Sequence, residues 1–252
     1  MKQPYPCKIE PCPIISASFE IRFETIDVPV EAVFGMFYNI LKDEFSKHDP
    51  LSILEIPEVI RVKEGLIEQP HYRLYQENSP LSILLGPKVL SIVYTKFINN
   101  EIYPYPGWTI SLKSKVNDIL LKIFSLNIIK HVTRIGIRYS DFIDGNIFDG
   151  TEFNLLRDGE RLDREELQIV RIENKNHFIN KITISNKFNL DSSPKSGSLI
   201  DIDSYKMNEE IKIEDVFNFI CIGHDINKEL FFDMLKKDYI DSKFSCDFNI
   251  GE

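Results

Sequence analysis

Two short segments in different halves of the chain carry the same strict alternation of apolar and polar side chains. The first reads FEIRF at 19–23, and the second reads IGIRY at 135–139. A period of two is the signature of a β-strand that buries one face and exposes the other. Each segment is followed by a helical pattern, then by three strand patterns, then by a long helical pattern. This order predicts a tandem duplication.

The predicted fold class is α+β. A tandem β-α-β-β-β-α repeat forms one antiparallel sheet of about eight strands, with long helices packed on one face. Strands are expected at 71–77, 81–86, 89–97, 132–142, 166–173, 178–188 and 198–205, besides the first. Helices are expected at about 29–47, 108–126 and 213–239, the last with a possible kink at Gly223, and a short one at 151–157.

The whole chain is expected to form one structural domain. The first half spans residues 14–129 and the second half spans 130–246. Residues 1–13 are proline-rich and are expected to form an extended lead-in, and residues 247–252 a frayed tail.

The alternation assigns side chains to the two faces of the sheet. Phe19, Ile21 and Phe23 point inward, so Glu20 and Arg22 point outward. By the same reasoning Arg134 and Arg138 point outward in the second half. If a pseudo-twofold axis relates the halves, Arg22 and Arg138 occupy equivalent places on an open face. This arrangement is similar to the saddle of TATA-binding protein, a likeness that concerns the fold alone.

Several landmarks taken together resemble a sporadically distributed prokaryotic family of unknown function. They are PCPI at 11–14, FEIRF at 19–23, RIGIRY at 134–139, LIDIDSY at 199–205 and HDINKELFF at 224–232. Cys12 interrupts the usual Pro-Pro of the family, and its usual Thr-Asp-Glu in the last helix is Lys-Asp-Tyr here. The resemblance implies no activity. The patchy distribution of the family suggests a mobile role, such as a defence, immunity or antitoxin protein.

Charge and composition exclude some functions. The formal net charge is -9, which disfavours nucleic acid as a partner because phosphates repel an acidic chain. Lys113, Lys115, Lys122 and Lys130 form only a thin basic patch. No apolar run approaches the roughly 20 residues that span a bilayer, so no membrane association is expected.

The first residues do not read as a signal peptide, because prolines follow Lys2, and a cytoplasmic location is expected. The four cysteines, Cys7, Cys12, Cys221 and Cys246, have no second metal-ligand pair at a suitable spacing. They are expected to be free thiols. No cofactor or metal is expected.

Arg22 and Arg138 are the principal candidate binding residues, with Arg134 and Glu20 beside them. One interpretation is a clamp for an anion or a carboxylate, since guanidinium groups match such partners. The alternative is cross-strand ion pairing with Glu20, Glu24 or Asp141 on a wet sheet face.

Two polar groups are weaker candidates. His224 and Asp225 are adjacent, as in metal-dependent phosphohydrolases, but the alternative is a packed histidine, with Asp225 capping a helix that restarts after Gly223. Asp201 and Asp203 share one strand face, near Asp191, and are suited either to a divalent cation or to a solvated surface.

The sequence favours a non-enzymatic module that presents the open sheet face to a protein partner of unknown identity. An acidic immunity or antitoxin protein that neutralises a basic toxin is one such case. Two alternatives stay open: an enzyme or nucleotide sensor that uses Arg22, Arg138 and the carboxylates of the second half, and a nucleic-acid binder. A duplicated chain already supplies internal symmetry, so the sequence alone gives no reason to expect a dimer.

Overall fold

The computed structural model describes residues 5–151, 153, 155–162, 165–190 and 196–248. Its centre is a nine-stranded antiparallel sheet. The strands are β2 (Ile14–Thr25), β3 (Lys47–Pro50), β4 (Tyr72–Tyr75), β5 (Leu81–Leu85), β6 (Val89–Thr95), β9 (Ile129–Asp144), β12 (Gln168–Lys175), β13 (Phe178–Asn189) and β14 (Ser196–Ile211). Their order across the sheet is β12-β13-β14-β9-β2-β6-β5-β4-β3.

In the part of the chain that the structure describes, three short antiparallel pairs lie outside this sheet. They are β1 (Lys8–Glu10) with β15 (Ser245–Asp247), β7 (Phe97–Ile98) with β8 (Glu101–Ile102), and β10 (Leu156–Arg157) with β11 (Glu160–Arg161). The described part of the lead-in therefore pairs with the segment that precedes the tail.

Within the described residues, five α-helices accompany the strands. They are α1 (Val30–Leu41), α2 (Glu58–Lys63), α3 (Lys113–Phe124), α4 (Ile213–Met234) and α5 (Lys237–Lys243). α4 packs on β9 and β14, and α1 packs on α3. One turn of π-helix at Trp108–Leu112 leads into α3. Among the described residues, no helix is both long and apolar enough to cross a membrane.

The core lies between the sheet and the helices. Phe19 stacks on Trp108 before α3, with ring centroids 5.1 Å apart, and Phe23 contacts Phe37 of α1. Phe19 and Phe23 belong to the apolar set that the alternation assigned to the core. One continuous cluster of buried apolar residues extends through both halves.

The α+β class and the single large antiparallel sheet are confirmed. Each half places its first strand at the centre, its last strand next to it, and its earlier strands toward an edge. Where the first half has α1, the described part of the second half has only a 3-10 turn at Ile147–Asp149. The helix expected at 151–157 is wrong at its end, where Leu156–Arg157 is a strand, and residues 152 and 154 lie outside the described residues.

The expected kink at Gly223 is also wrong, because α4 runs unbroken from Ile213 to Met234. A Cβ atom at Gly223 would lie 2.4 Å from the Cδ1 atom of Ile137. The glycine therefore serves a close approach of α4 to β9 rather than a bend, and Asp225 does not cap a helix start.

Candidate functional site

The charged face of the sheet, opposite the core, carries six of the eight predicted residues in two neighbouring hydrogen-bonded groups. They are Glu20 and Arg22 on β2, Arg134 and Arg138 on β9, and Asp201 and Asp203 on β14. We call this set, with Glu68, Ser91, Ser140 and Tyr205, the open-face cluster. Its members come from three adjacent central strands and their neighbours because alternate residues of each strand share a face.

The pairing of β2 with β9 is symmetric about its middle. Phe19 lies opposite Ile137 and Ile21 lies opposite Ile135, with Glu20 opposite Gly136 between them. In the two matching segments Phe19 is equivalent to Ile135, Glu20 to Gly136 and Ile21 to Ile137. Only Glu20 and Gly136 are both equivalent and paired, so a local twofold axis passes between them. Arg22 and Arg138 lie on either side of that axis.

Arg134 occupies the centre of the open-face cluster. Its Nη1 donates to Glu20, and its Nη2 donates to Asp203 Oδ2 at 3.3 Å. Its guanidinium also lies 4.8 Å from the ring centre of Tyr205, a cation–π contact. The side chain is only 16% exposed. Arg134 is thus a fixed part of the surface.

Because Gly136 has no side chain, the guanidinium group of Arg134 can occupy this position. A Cβ atom there would come within 2.6 Å of Arg134 Nη1, so the guanidinium lies where a side chain would otherwise stand. The equivalent residue in the first half is Glu20, which supplies the acceptor. The two halves therefore differ at their common axis, and the difference creates a partly buried ion pair between Arg134 and Glu20.

Arg22 is held by two carboxylates. Its Nε donates to Glu20 Oε1 at 3.0 Å and its Nη1 donates to Glu68 Oε2 at 3.2 Å. Glu68 belongs to a 3-10 turn at Leu66–Glu68, in the connection between β3 and β4 that the sequence left without an assignment. Glu20 also accepts from Ser91 Oγ on β6 at 3.2 Å.

Arg138 is the accessible arginine of the cluster. Its Nε donates to Asp201 Oδ1 at 2.8 Å, and its side chain is 57% exposed. The hydrogen bond to Asp201 raises the pKa of Arg138 further, so the group stays charged. Ser140 Oγ donates to the same carboxylate at 2.7 Å. Burial raises the pKa of Asp203, although Arg134 and Arg138 oppose that shift.

The arginines therefore follow the ion-pairing interpretation, with two corrections. Arg22 pairs with Glu20 of its own strand rather than across strands, and Asp141 is not a partner on this face. Asp141 follows Tyr139 by two residues and so points to the core side, where it is 4% exposed. Burial, followed by the charge of Asp201, raises the pKa of Asp141 to about 8.

His224 and Asp225 do not join the cluster. His224 lies on the core side of the sheet, stacks on Trp108 with centroids 4.6 Å apart, and bonds to Tyr139 Oη at 2.9 Å. Burial lowers the pKa of His224 to about 3, which keeps the ring neutral. Asp225 lies on the exposed side of α4, and burial raises its pKa. The pair therefore splits between two faces of one helix.

Asp201 and Asp203 accept hydrogen bonds from arginines instead of facing open solvent. Within the described residues, no group of three or more His, Cys, Asp or Glu side chains is arranged to hold a metal ion. Asp191 lies outside the described residues.

Sequence reasoning missed several members of this surface. Tyr205, Ser140 and Ser91 lie on the outward positions of their strands, so the same period-two rule identifies them once each strand has been placed. Glu68 had no such signal, because its contact with Arg22 depends on a long connection that folds back over the sheet.

No model of a known protein family matches the chain. A search of curated proteins likewise finds no significant similarity.

Proposed function

We propose that this chain is a non-enzymatic protein-binding module that presents the open-face cluster to a partner. A defence, immunity or antitoxin role is the class of function we favour. The observation that carries the proposal is the position of Arg138, an exposed and permanently charged group on the same face of the sheet as the exposed apolar side chains of Val170 and Ile172.

Exposed apolar residues continue the cluster toward the sheet edge. Ile172 on β12 lies across from Lys181 on β13. The same row continues toward the centre of the sheet with Asp203 on β14 and Arg138 on β9. Val170 starts the neighbouring row, which ends in Asp201 and Ser140. Ile172 is 65% exposed and Val170 is 52% exposed. Exposed apolar groups joined to charged ones are typical of protein–protein contact surfaces.

The internal ion pairs support this use of the surface. Arg22 and Arg134 are held by carboxylates, so little side-chain freedom remains to be lost when a partner binds. Arg138 keeps the exposure that a partner needs, and arginine is enriched among the residues that dominate binding energy.

The net charge of -9 favours a basic partner. Opposite net charges speed association by long-range attraction. An acidic immunity or antitoxin protein acting on a basic toxin has this character. Such a partner would place a cation near Asp201 or Asp203 and a carboxylate near Arg138.

The same geometry weighs against the two alternatives. A nucleotide or another anion would have to displace Glu20, Asp201 or Asp203 from the arginines. The cluster holds three arginines against four carboxylates, Glu20, Glu68, Asp201 and Asp203, which gives a phosphate backbone little net attraction.

The test is capture of a partner from native extract of the source cell on the tagged chain, with protein and nucleic acid both identified. The variant is Arg138→Glu. The matched control is Arg157→Glu on the separate β10–β11 hairpin, where the side chain is 80% exposed. Circular dichroism first verifies that both variants fold.

We expect one protein to be retained by the parent and by Arg157→Glu, and lost by Arg138→Glu. Equal retention by all three would show that binding occurs elsewhere. If no protein is retained, while a nucleotide raises the melting temperature of the purified chain, the small-molecule alternative replaces this proposal.

A further inference from the structure

The two edges of the nine-stranded sheet differ in their protection against strand addition. β3, at one edge, has four residues, all exposed, of sequence KHDP, and its last residue is a proline without an N–H donor. Short strands, charge and proline are the usual means of blocking an edge. β12, at the other edge, has eight residues and exposes Val170 and Ile172. In the described part of the chain, no strand pairs with its outer side.

The turn after β12 determines which backbone groups face outward. Lys175 and Phe178 flank Asn176 and His177, which both have positive φ, as a two-residue hairpin turn requires. Residues that flank such a turn exchange both backbone hydrogen bonds, and bonded pairs then alternate along the ladder. Glu173 and Arg171 are therefore bonded to β13. The N–H and C=O groups of Ile172 and Val170 point to the free edge.

We propose that β12 pairs antiparallel with β12 of a second copy of this chain, about a twofold axis at Ile172. This register places Arg171 opposite Glu173 of the partner subunit, and Glu173 opposite Arg171 of the partner subunit. Ile172 meets its own copy on the open face. The contact is isologous, so the same surface serves both subunits.

Several registers of this antiparallel pairing keep the helices of both copies on the same side of the sheet. Among them, charge favours the register with its axis at Ile172. An axis at Arg171 or at Glu173 would place like charges opposite each other, which is destabilising. An axis at Val170 leaves Arg171 opposite the apolar Ile169. An axis at Asn174 matches Glu173 with Lys175 but places the exposed Ile172 opposite the turn residue Asn176.

The charges also explain why the β12 edge does not pair readily with unrelated strands. Arg171 and Glu173 already form an ion pair within the chain. A foreign strand would have to supply the matching alternation of charges, and another copy of β12 does so by symmetry. The two exposed aliphatic side chains then supply the apolar contact. A single pair of edge strands is smaller than the roughly 1,200 Å² of a standard interface, so we expect a dissociation constant of about 10–100 µM.

The first experiment is sedimentation velocity of the intact chain up to about 0.5 mM, well above that expected range. The variants are Arg171→Glu, Glu173→Arg and the double charge swap. Each single variant places like charges across the axis and should weaken dimerisation about tenfold. The double variant restores both attractions and should return to within about threefold of the parent. A parent chain that stays monomeric over this range overturns the proposal. A double variant that dimerises no more tightly than the single variants also overturns it.

The second experiment tests the register by cysteine cross-linking, with Cys7 replaced by Ser because it is exposed. Paired Cα atoms at the axis would be about 5.5 Å apart, within the range for a disulfide, so Ile172→Cys should form a covalent dimer under oxidation. Val170→Cys is the matched control, since Val170 would lie opposite Asn174 of the partner subunit. Equal cross-linking of both variants, or none at Ile172→Cys, contradicts this register.

The dimer and the partner proposed for the open-face cluster both use the exposed Ile172 and Val170, but Arg138 belongs only to the partner surface and so separates the two proposals. Arg138→Glu should leave the sedimentation of the chain unchanged. If the chain is monomeric and still retains a partner through Arg138, only the dimer proposal is wrong.

Discussion

His224 is a partly buried base whose neutral form the fold favours. It lies between Trp108 and Tyr139, and burial lowers its pKa to about 3, with Lys228 and Lys113 adding to the effect. The unfolded chain binds a proton at this residue below about pH 6.5, whereas the folded chain does not until about pH 3. His224 therefore costs stability as the pH falls through this window.

We expect His224→Gln to be relatively more stable at pH 4 than at pH 6. The difference in unfolding free energy between variant and parent should shift in favour of the variant by roughly 2 kcal/mol over that range. Urea titrations at several pH values measure it, with His48→Gln on the exposed β3 as control. A difference that does not vary with pH would mean that His224 is protonated in the fold.

Asp141 produces the opposite pH dependence. Its pKa is raised to about 8, so the unfolded chain releases the proton near pH 4 while the folded chain retains it. Stability is therefore lost as the pH rises from about 4 to 8.

Asp141→Asn removes this titration and should stabilise the chain by on the order of 4 kcal/mol at pH 7, with little effect at pH 4. Thermal unfolding at both pH values is the measurement. A variant that is less stable than the parent at pH 7 would show that the charged form has a partner, and Lys96 is the cation whose charge lowers the pKa of Asp141.

At the scale of elements, the sequence predicted strands better than contacts between elements. The alternation in β2 and β9 correctly placed Phe19 and Ile137 inside and Arg22 and Arg138 outside, because period two depends only on the local backbone. The same rule places Asp141 inside, so the mistake there was to choose a charge partner by sequence proximity. Glu68 and the Arg134–Gly136 contact depend on long-range packing, which no local pattern contains.

Two helical glycines show why the role of Gly223 was misjudged. From sequence alone, a glycine within a helix is expected to destabilise the helix or to bend it. At Gly223 it allows α4 to approach Ile137 and Phe178, whereas the space at Gly35 of α1 is open to 4 Å. The two roles differ only in what lies opposite.

The same substitution should therefore have opposite effects at these positions. Gly223→Ala forces α4 away from β9 and should destabilise the chain by about 1–3 kcal/mol. Gly35→Ala should stabilise it by about 0.5–1 kcal/mol, the gain in helix propensity. Chemical denaturation of both variants against the parent is the measurement. Equal effects of the two substitutions would contradict the close packing of α4 on β9.

At the scale of the whole molecule, the two halves share one sheet and one core. β2 and β9 pair along most of their length, and the apolar cluster continues across them. The lead-in adds to this connection, since its strand β1 pairs with β15 at the end of the second half. Tyr5 of the lead-in also stacks on Phe232 of α4, with ring centroids 5.7 Å apart. Common ancestry of the halves stays a prediction.

Separating the halves tests whether they are one folding unit. Cutting the chain between α3 and β9 removes the β2–β9 ladder and leaves each central strand with an open, apolar edge, which favours aggregation. We expect neither half, expressed alone, to show a cooperative thermal transition, and co-expression to recover a complex with the near-ultraviolet circular dichroism of the intact chain. Cooperative unfolding of either half by itself would show two autonomous domains, because a cooperative transition requires a complete core.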